Sequence, residues 1–433
     1  MSDMRLKISM KASVGFQSYL SSVLTLIFLI LNLIFVRIQI EILGVDRYGM
    51  LVLLLSVFGM VGLLNMGIGT ALIRFYSECR SVYWTIFAFI FVLIFCLAVI
   101  LIFFGSFFYV KVFNVIGVKN EGLTVLSFWG LGLVGISRLM GNILTSYWIA
   151  KIDFFRFKLV SFINYNLPIL LILLFVYYWN SLNFGIFFSG IANLLFVLTI
   201  FGYVLFSEVR NLKIKFPSNG IRRHMKFFLK EAIQFQILSI MNNVSTPLIN
   251  VLINLFFGLH FVSYFDISLK FLRVTRQIIV SYVEPLFSQI IALHSKQKYK
   301  LIRFFVNKYT KRLLILSSFY VILILLFSKM ILSLWIGREL ASKVFLNIYI
   351  LSFGFAINIS SSALYYFFLA IPDYRKYVLY HQLVLFLLPI LTFIIQDINF
   401  TQYLYVYSAA YIIASLYLFF IYLKLKIVKG RPI

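Results

Sequence analysis

Charged side chains recur at helical spacing in residues 264–289 (YFDISLKFLRVTRQIIVSYVEPLFSQ), although this stretch is otherwise apolar enough for a lipid bilayer. One face of a helix there holds, within an arc of roughly 80°, Asp266, Lys270, Arg273, Gln277, Ser281 and Glu284, with Arg276 to one side. Burying each charge at the centre of a membrane helix costs roughly 2.5–3.5 kcal/mol on insertion scales. Because three bases meet two acids, the excess positive charge predicts an anionic ligand or a water-filled space beside this face.

Two other stretches of the sequence repeat the polar pattern with fewer charges. The first has, on one helical face, Gln236, Ser239, Asn243, Thr246, Asn250 and Asn254, and the second has Arg138, Asn142 and Thr145 at i, i+4 and i+7. Amides and hydroxyls in these positions could contact a polar ligand, or they could join membrane helices to one another. Asp266 and Lys270 could likewise simply pair across one helical turn.

The composition places the chain among membrane proteins. Hydrophobic residues make up 63% of the 433 residues, charged residues make up 12%, and the mean hydropathy is +1.01. A soluble globular domain is about half apolar, with roughly a quarter of its residues charged. The long, uninterrupted apolar runs predict membrane helices and are unlike the alternating pattern of a β-barrel.

The apolar runs predict an all-α integral membrane protein with about twelve spans. The expected helices lie near residues 15–39, 47–74, 83–110, 122–149, 159–179, 184–207, 228–257, 261–293, 310–335, 344–371, 377–396 and 401–423. Pro285 is expected to bend the eighth helix, because proline removes a backbone donor. The predicted organisation is a six-helix bundle at 1–207, a basic cytoplasmic linker at 208–227, a second six-helix bundle at 228–423 and a basic tail at 424–433.

The distribution of lysine and arginine predicts the orientation of the chain. Most of the 39 basic residues fall in the amino-terminal segment, in the connections from even-numbered to odd-numbered helices and in the tail. The opposite connections and adjacent helix ends hold Arg37, Arg47, Lys111, Lys119, Lys329, Arg338 and Lys343. Basic loops stay in the cytoplasm, so both termini are expected there. The same rule and the anionic lipid surface account for the net charge of +26 without nucleic acid.

Motifs for other kinds of chemistry are missing from the sequence. There is no GxxxxGK[ST] loop for nucleotide hydrolysis, and the four histidines and two cysteines lack the spacing of a metal site. A membrane-embedded polysaccharide polymerase would be expected to use paired acids or a large outer loop, and neither is seen. No cofactor is expected, and a non-enzymatic protein is favoured over an enzyme.

Residues 41–78, EILGVDRYGMLVLLLSVFGMVGLLNMGIGTALIRFYSE, resemble a signature of the polysaccharide transporters in the MOP exporter superfamily. The elements that match are Gly44, Asp46, Tyr48, Gly49, Asn65, Gly67, Gly69, Thr70 and Arg74, with Gly258, Tyr264 and Pro285 in the second half. Ser263 departs from the pattern, because glycine would be expected there. Within the superfamily the chain is most similar to O-antigen flippases of the Wzx type, since lipid II flippases usually have two further helices.

The resemblance implies two six-helix bundles around a central cavity, as in MATE-like proteins, and alternating access in a bacterial inner membrane. The implied cargo is a polyprenyl diphosphate bearing an oligosaccharide, and membrane lipid, a polysaccharide polymerase and a chain-length regulator are the other expected partners. The diphosphate would be bound by Arg138, Arg273 and Arg276 with Lys270 assisting, and the sugar by Gln236, Asn142, Asn243 and Asn250. Asp266 and Glu284 are expected to tune these bases, with binding of a coupling proton or sodium ion as the alternative. A drug or small-metabolite exporter of the same architecture remains the competing function.

Overall fold

The computed structural model describes residues 23–59, 91–111, 124–211, 241–395 and 398–428, apart from short gaps at 25, 93–94, 97–98, 101, 108–109, 152, 242–243 and 296. Every regular element in these segments is helical, which confirms the predicted all-α class. The longer helices are α1 (Leu26–Leu43), α2 (Val45–Gly59), α3 (Val125–Ala150), α4 (Phe154–Trp179), α5 (Leu182–Asn211), α6 (Val244–Phe257), α7 (Leu259–Ser281), α8 (Glu284–Ser295), α9 (Tyr299–Ile336), α10 (Arg338–Ala370), α11 (Arg375–Leu391) and α12 (Phe400–Val428).

Seven of these helices are long and apolar enough to cross a membrane, so the chain is a multi-pass membrane protein. They are α1, α4, α5, α9, α10, α11 and α12. The helices α3 and α7, with 26 and 23 residues, are also long enough, but they contain the polar and charged residues identified in the sequence. The predicted number of about twelve spans is an approximation, because parts of several expected helices lie outside the described residues.

Single glycines connect several pairs of consecutive helices. Gly44 separates α1 from α2 with φ +76°, and Gly258 separates α6 from α7 with φ +101°. Side chains with a Cβ rarely adopt these angles, so glycine lets one helix follow another after a single residue. Gly337, with φ +84°, connects α9 to α10 in the same way and is not anticipated by the sequence pattern.

The predicted eighth helix is interrupted just before Pro285, the residue at which the sequence predicts a bend. Helix α7 ends at Ser281, and the N–H groups of Tyr282 and Val283 donate to carbonyls three residues earlier, at 3.3 and 2.8 Å. Helix α8 then begins at Glu284, which places Pro285 in its first turn. A proline is tolerated there because N–H groups in the first turn have no partner within the helix.

The ninth helix is longer than the hydropathy pattern indicates. It begins at Tyr299, not near residue 310, and its 38 residues extend about 57 Å, against roughly 30 Å for a bilayer core. Its first third includes Lys300, Arg303 and Lys308, which were expected in a connection. Ile302 and Val306 are buried one turn apart in this third, so packing supports the helix despite its charge.

The structure divides into two compact units. The first includes α1 as far as Asn32 and then Glu41–Val251, and the second includes Leu33–Ile40 and the chain from Leu252 onwards. In the first unit α3 crosses α5 at two glycines, where a Cβ on Gly190 would lie 2.4 Å from the carbonyl oxygen of Gly130. The predicted linker at 208–227 lies largely outside the described residues, although α5 extends to Asn211, so the domain boundaries remain a prediction.

Close helix contacts in the second unit also depend on small residues. Ser408 of α12 donates from its hydroxyl to the carbonyl oxygen of Ile350 at 2.8 Å, and it accepts from the N–H of Gly354 at 3.1 Å. Membrane helices lack a hydrophobic force between them, so close backbone contact and such hydrogen bonds stabilise their packing. These contacts hold α10, whose surface is mostly buried, in the middle of the unit that contains the charged helix α7.

Candidate functional site

The acid and the lysine of the charged face form an ion pair within α7. Asp266 Oδ2 lies 2.8 Å from Lys270 Nζ, with the lysine side chain 37% exposed and the aspartate side chain 14% exposed. The two residues are one helical turn apart, so the pair needs no contribution from another helix. Asp266 and Lys270 therefore pair with each other, as one of the two sequence interpretations predicts. The remaining positive charge of α7 belongs to Arg273 and Arg276.

Arg276 lies among polar groups of the second unit. Its side chain is half-buried, and Nε donates to Oδ1 of Asn358 on α10 at 3.0 Å. A neutral amide orients the guanidinium without cancelling its charge, and Arg276 forms no ion pair among the described residues.

Arg273 is exposed near the middle of α7. It lies 14 residues from the first residue of the helix and eight from the last, which correspond to roughly 21 and 12 Å along the axis. An exposed guanidinium at such a position in a membrane helix is costly against lipid. Water or an anion is its favourable neighbour.

Arg138 lies on an aromatic ring in the first unit. Its guanidinium carbon is 4.4 Å from the centroid of Tyr165 on α4, and Nε is buried with no hydrogen-bond partner in the described part of the chain. A cation above a ring gains about 0.5–2 kcal/mol and keeps its charge. Among the described residues no carboxylate forms an ion pair with Arg138.

The amides predicted to contact sugar differ in their exposure. Asn250 is only 1% exposed; its Nδ2 donates to Ser56 Oγ at 3.1 Å, while its Oδ1 is buried and has no partner among the residues that the structure describes. Asn142 is exposed on α3. Gln236 and Asn243 lie outside the described residues, and for Glu284 the structure gives the backbone, which begins α8. The structure therefore places one buried and one exposed amide in the first unit.

An open groove of about 200 Å³ lies beside Tyr165 in the first unit. It is lined by residues of α1 and α4, namely Phe28, Leu29, Asn32, Lys158, Ser161, Phe162, Tyr165 and Asn166. The rings of Phe28 and Phe162 are stacked with centroids 4.1 Å apart, and Lys158 adds a positive charge. The sequence analysis missed Tyr165 and Lys158, because an aromatic residue in the middle of an apolar helix and a basic residue near its start have no distinctive spacing.

Comparisons with known proteins support the fold. Neither a protein-family model nor a curated protein matches the sequence. Among solved structures, an inward-facing multidrug resistance MATE family transporter of the MOP superfamily aligns with a TM-score of 0.75 at 13% identity, covering 95% of this chain and 100% of that one. A mutant of the Vibrio cholerae MATE transporter VcmN aligns with a TM-score of 0.64 at 10% identity, covering 97% and 98% of the two chains.

The lipid II flippase MurJ, in an inward closed conformation, is also similar. It aligns with a TM-score of 0.64 at 15% identity, covering 94% of this chain and 87% of that one. The chain therefore has the fold shared by MATE transporters and the lipid II flippase of the MOP superfamily. Since the similar structures include both drug transporters and a lipid flippase, the fold alone does not identify the function of this chain.

Proposed function

We propose that the protein is a flippase that moves a polyprenyl-diphosphate-linked oligosaccharide, such as an O-antigen repeat unit, across the bacterial inner membrane. The observation that supports this cargo most directly is that Arg138 in the first unit and Arg276 in the second form no ion pair with any described residue, although both lie in helices long enough to cross a membrane. Arginine can contact a diphosphate through two parallel hydrogen bonds, which lysine cannot do.

The exposed polar groups support a hydrated path along which the head group moves. Arg273 and Asn142 are exposed although they belong to helices long enough to cross the bilayer. Lipid is an unfavourable neighbour for both, so water and a polar head group are the expected ones. The sugar would be bound by Asn142 and Asn250. Gln236 and Asn243, which the sequence places on the same helical face as Asn250, would also contact it. The polyprenyl chain would remain in lipid.

The signs of the charges favour this cargo over a cationic drug. An exporter of cationic drugs would need acidic residues to hold the cation, whereas the described acid of α7, Asp266, is paired with Lys270. A drug or small-metabolite exporter remains the alternative, because MATE transporters have the same fold. A polymerase is the least favoured function, and it would change the length or linkage of the glycan.

Proteoliposomes containing a labelled polyprenyl-diphosphate oligosaccharide provide the direct test. We expect the wild-type protein to transfer the label between leaflets, and Arg138→Ala, Arg273→Ala and Arg276→Ala each to abolish transfer while still inserting into the membrane. Arg338→Ala is a matched control, since this exposed arginine begins α10 and lies away from the proposed site. Normal transfer by the three variants would exclude a cationic path, and drug efflux without glycan transfer would favour the exporter.

The same cargo implies an orientation in the membrane, a transport cycle and a set of partners. Both termini would lie in the cytoplasm, where lipid-linked glycans are assembled, and the two units would alternate between inward and outward access. A polysaccharide polymerase and a chain-length regulator would then receive the product on the outer side. Asp266 and Glu284 would tune the bases, or bind a coupling proton or sodium ion.

A further inference from the structure

The groove between α1 and α4 is lined mainly by residues with polar groups. Its volume of about 200 Å³ is enough for several water molecules or for one monosaccharide ring. None of its described lining residues is acidic, and five of the eight have a polar group, namely Asn32, Lys158, Ser161, Tyr165 and Asn166. Such a lining matches a small ligand that has hydroxyl groups and a negative charge.

The groove reaches the middle of the bilayer. Asn32 lies 11 residues before Leu43, the end of α1, and Tyr165 lies 11 residues after Phe154, the start of α4, which is about 16.5 Å along each axis. A bilayer core is about 30 Å thick, so both side chains lie near its centre. Asn32 is exposed, and Tyr165 is 59% exposed. Lipid is an unfavourable neighbour for an amide and a phenol at this depth, so water or a polar ligand is the better occupant.

Tyr165 presents an aromatic surface to this groove. The guanidinium carbon of Arg138 lies 4.4 Å from the centroid of its ring, yet much of the side chain stays exposed. Three residues earlier on α4, Phe162 stacks on Phe28 with centroids 4.1 Å apart, and this pair holds α1 against α4 beside the groove. The face of an aromatic ring is negative and attracts polarised C–H groups, which form one face of a sugar ring.

Lys158 gives the opposite end of the groove a positive charge. It is half-buried and lies seven residues before Tyr165, which is two helical turns or about 10 Å along α4. A carboxylate attached to a sugar ring would be attracted by Lys158 and by Arg138, whereas a cationic amine would be repelled. This end of α4 is the one that the distribution of basic residues predicts to be cytoplasmic, where the proposed cargo is assembled.

We propose that the groove is a subsite for one acidic sugar residue of the cargo, a hexuronic acid in chemical class. The ring of Tyr165 stacks on the sugar ring, Asn32 and Ser161 form hydrogen bonds with its hydroxyls, and Lys158 pairs with its carboxylate. This inference rests on the proposed function, because it assigns one sugar of that cargo to a place in the first unit. The subsite itself can be tested with a soluble sugar that has neither a diphosphate nor a polyprenyl chain.

Saturation-transfer-difference NMR of the protein in lipid nanodiscs tests the subsite with glucuronic acid and glucose, which share a ring and differ in one carboxylate. We expect glucuronic acid to bind about fivefold more tightly than glucose, which is the effect of one partly exposed ion pair. Tyr165→Leu should abolish the signal of both sugars, and Lys158→Gln should remove the difference between them. Tyr177→Leu is the matched control, because Tyr177 is 70% exposed on the same helix and does not line the groove.

The result for the soluble sugars is independent of transport. Absence of binding, or binding that persists in Tyr165→Leu, would overturn the proposal even if the lipid-linked glycan is transferred. Equal binding of the two sugars by the wild-type protein would overturn the assignment of an acidic sugar. If Tyr165→Leu does not fold, Lys158→Gln decides, since it leaves the aromatic ring in place. Binding of glucuronic acid that depends on Tyr165 and Lys158 would support the subsite even if no glycan is transferred and the proposed function fails.

Discussion

At the scale of single residues, the positive charges of the membrane helices have three kinds of partner. Lys270 is paired with a carboxylate, Arg138 lies on an aromatic ring, and Arg276 is oriented by an amide. A carboxylate cancels the charge of its partner, whereas a ring or an amide holds the cation and leaves its charge available. The two arginines are therefore better placed than Lys270 to attract an anion.

Asn250 allows the binding role of a buried amide to be separated from its structural role. Its Nδ2 bonds Ser56, and its Oδ1 is unpaired. We expect Asn250→Ala to reduce glycan transfer about tenfold, which corresponds to one lost hydrogen bond of about 1.4 kcal/mol. Initial transfer rates in proteoliposomes, measured at several glycan concentrations, would give the change.

Ser56→Ala is the matched control for Asn250, because it removes the same hydrogen bond between helices and leaves the amide in place. Transfer by this variant should stay close to the wild-type rate. If the two variants lost transfer equally, Asn250 would act through its bond to Ser56, and its assignment as a sugar contact would be wrong.

The difference between local and distant contacts explains how much of the site the sequence predicts. Asp266 and Lys270 are four residues apart, so helical periodicity places them together. Arg276 and Asn358 are 82 residues apart, and Arg138 meets Tyr165 on another helix, so both contacts depend on packing. The sequence thus identified the charged residues but not the aromatic and amide groups that orient two of them.

At the scale of helices, hydropathy predicted most elements and misjudged some of their ends. Helix α4 ends at Trp179 as predicted, because the apolar run stops there. Helix α9 begins 11 residues before its predicted start near 310. The prediction was late because lysine and arginine lower the mean hydropathy of a window, although both are good helix formers. The bend at Pro285 was predictable because it follows from the covalent structure of proline.

The basic first third of α9 can be distinguished from a loop by its periodicity. Leu301 and Phe304 are 43% and 58% exposed, whereas Ile302 and Val306 are 2% and 0% exposed. In a cysteine-free background, a membrane-impermeant maleimide should therefore label Leu301→Cys and Phe304→Cys in inside-out vesicles much faster than Ile302→Cys and Val306→Cys. Equal labelling of all four positions would contradict a packed helix.

The crossing of α3 and α5 depends on the absence of a side chain at Gly190. A Cβ there would approach the carbonyl oxygen of Gly130 to 2.4 Å, so the helices would have to separate. We expect Gly190→Ala to reduce the stability of the protein by about 1–3 kcal/mol, the usual cost of overpacking. The midpoint of thermal unfolding in detergent, followed by the loss of monodisperse protein, would measure this effect.

Gly202 provides the control on the same helix α5, because nothing lies within 4 Å of the position that its Cβ would occupy. Gly202→Ala should leave the unfolding midpoint unchanged or raise it, since alanine favours a helix by about 0.5–1 kcal/mol. An equal decrease for both variants would mean that the crossing of α3 and α5 is not the cause.

At the scale of the whole molecule, this chain shares its backbone arrangement with solved transporter structures but few of their residues. The three similar structures cover 94–97% of this chain at only 10–15% identity. A fold that is common to drug transporters and a lipid flippase must obtain its cargo preference from the charges and polar groups inside it. The asymmetric distribution of basic residues is the feature of the sequence that predicts which ends of these helices face the cytoplasm.

The two ends of α10 test the predicted orientation of the whole chain. Its 33 residues extend about 50 Å, which exceeds the bilayer core, so Glu339 and Asp373 are expected on opposite sides. Both residues are exposed, and Cys79→Ser with Cys96→Ser gives a cysteine-free background. An impermeant maleimide added to spheroplasts should label Glu339→Cys and spare Asp373→Cys, and inside-out vesicles should give the reverse. The reverse pattern in spheroplasts would place both termini outside, and a flippase would then receive its cargo from the wrong leaflet.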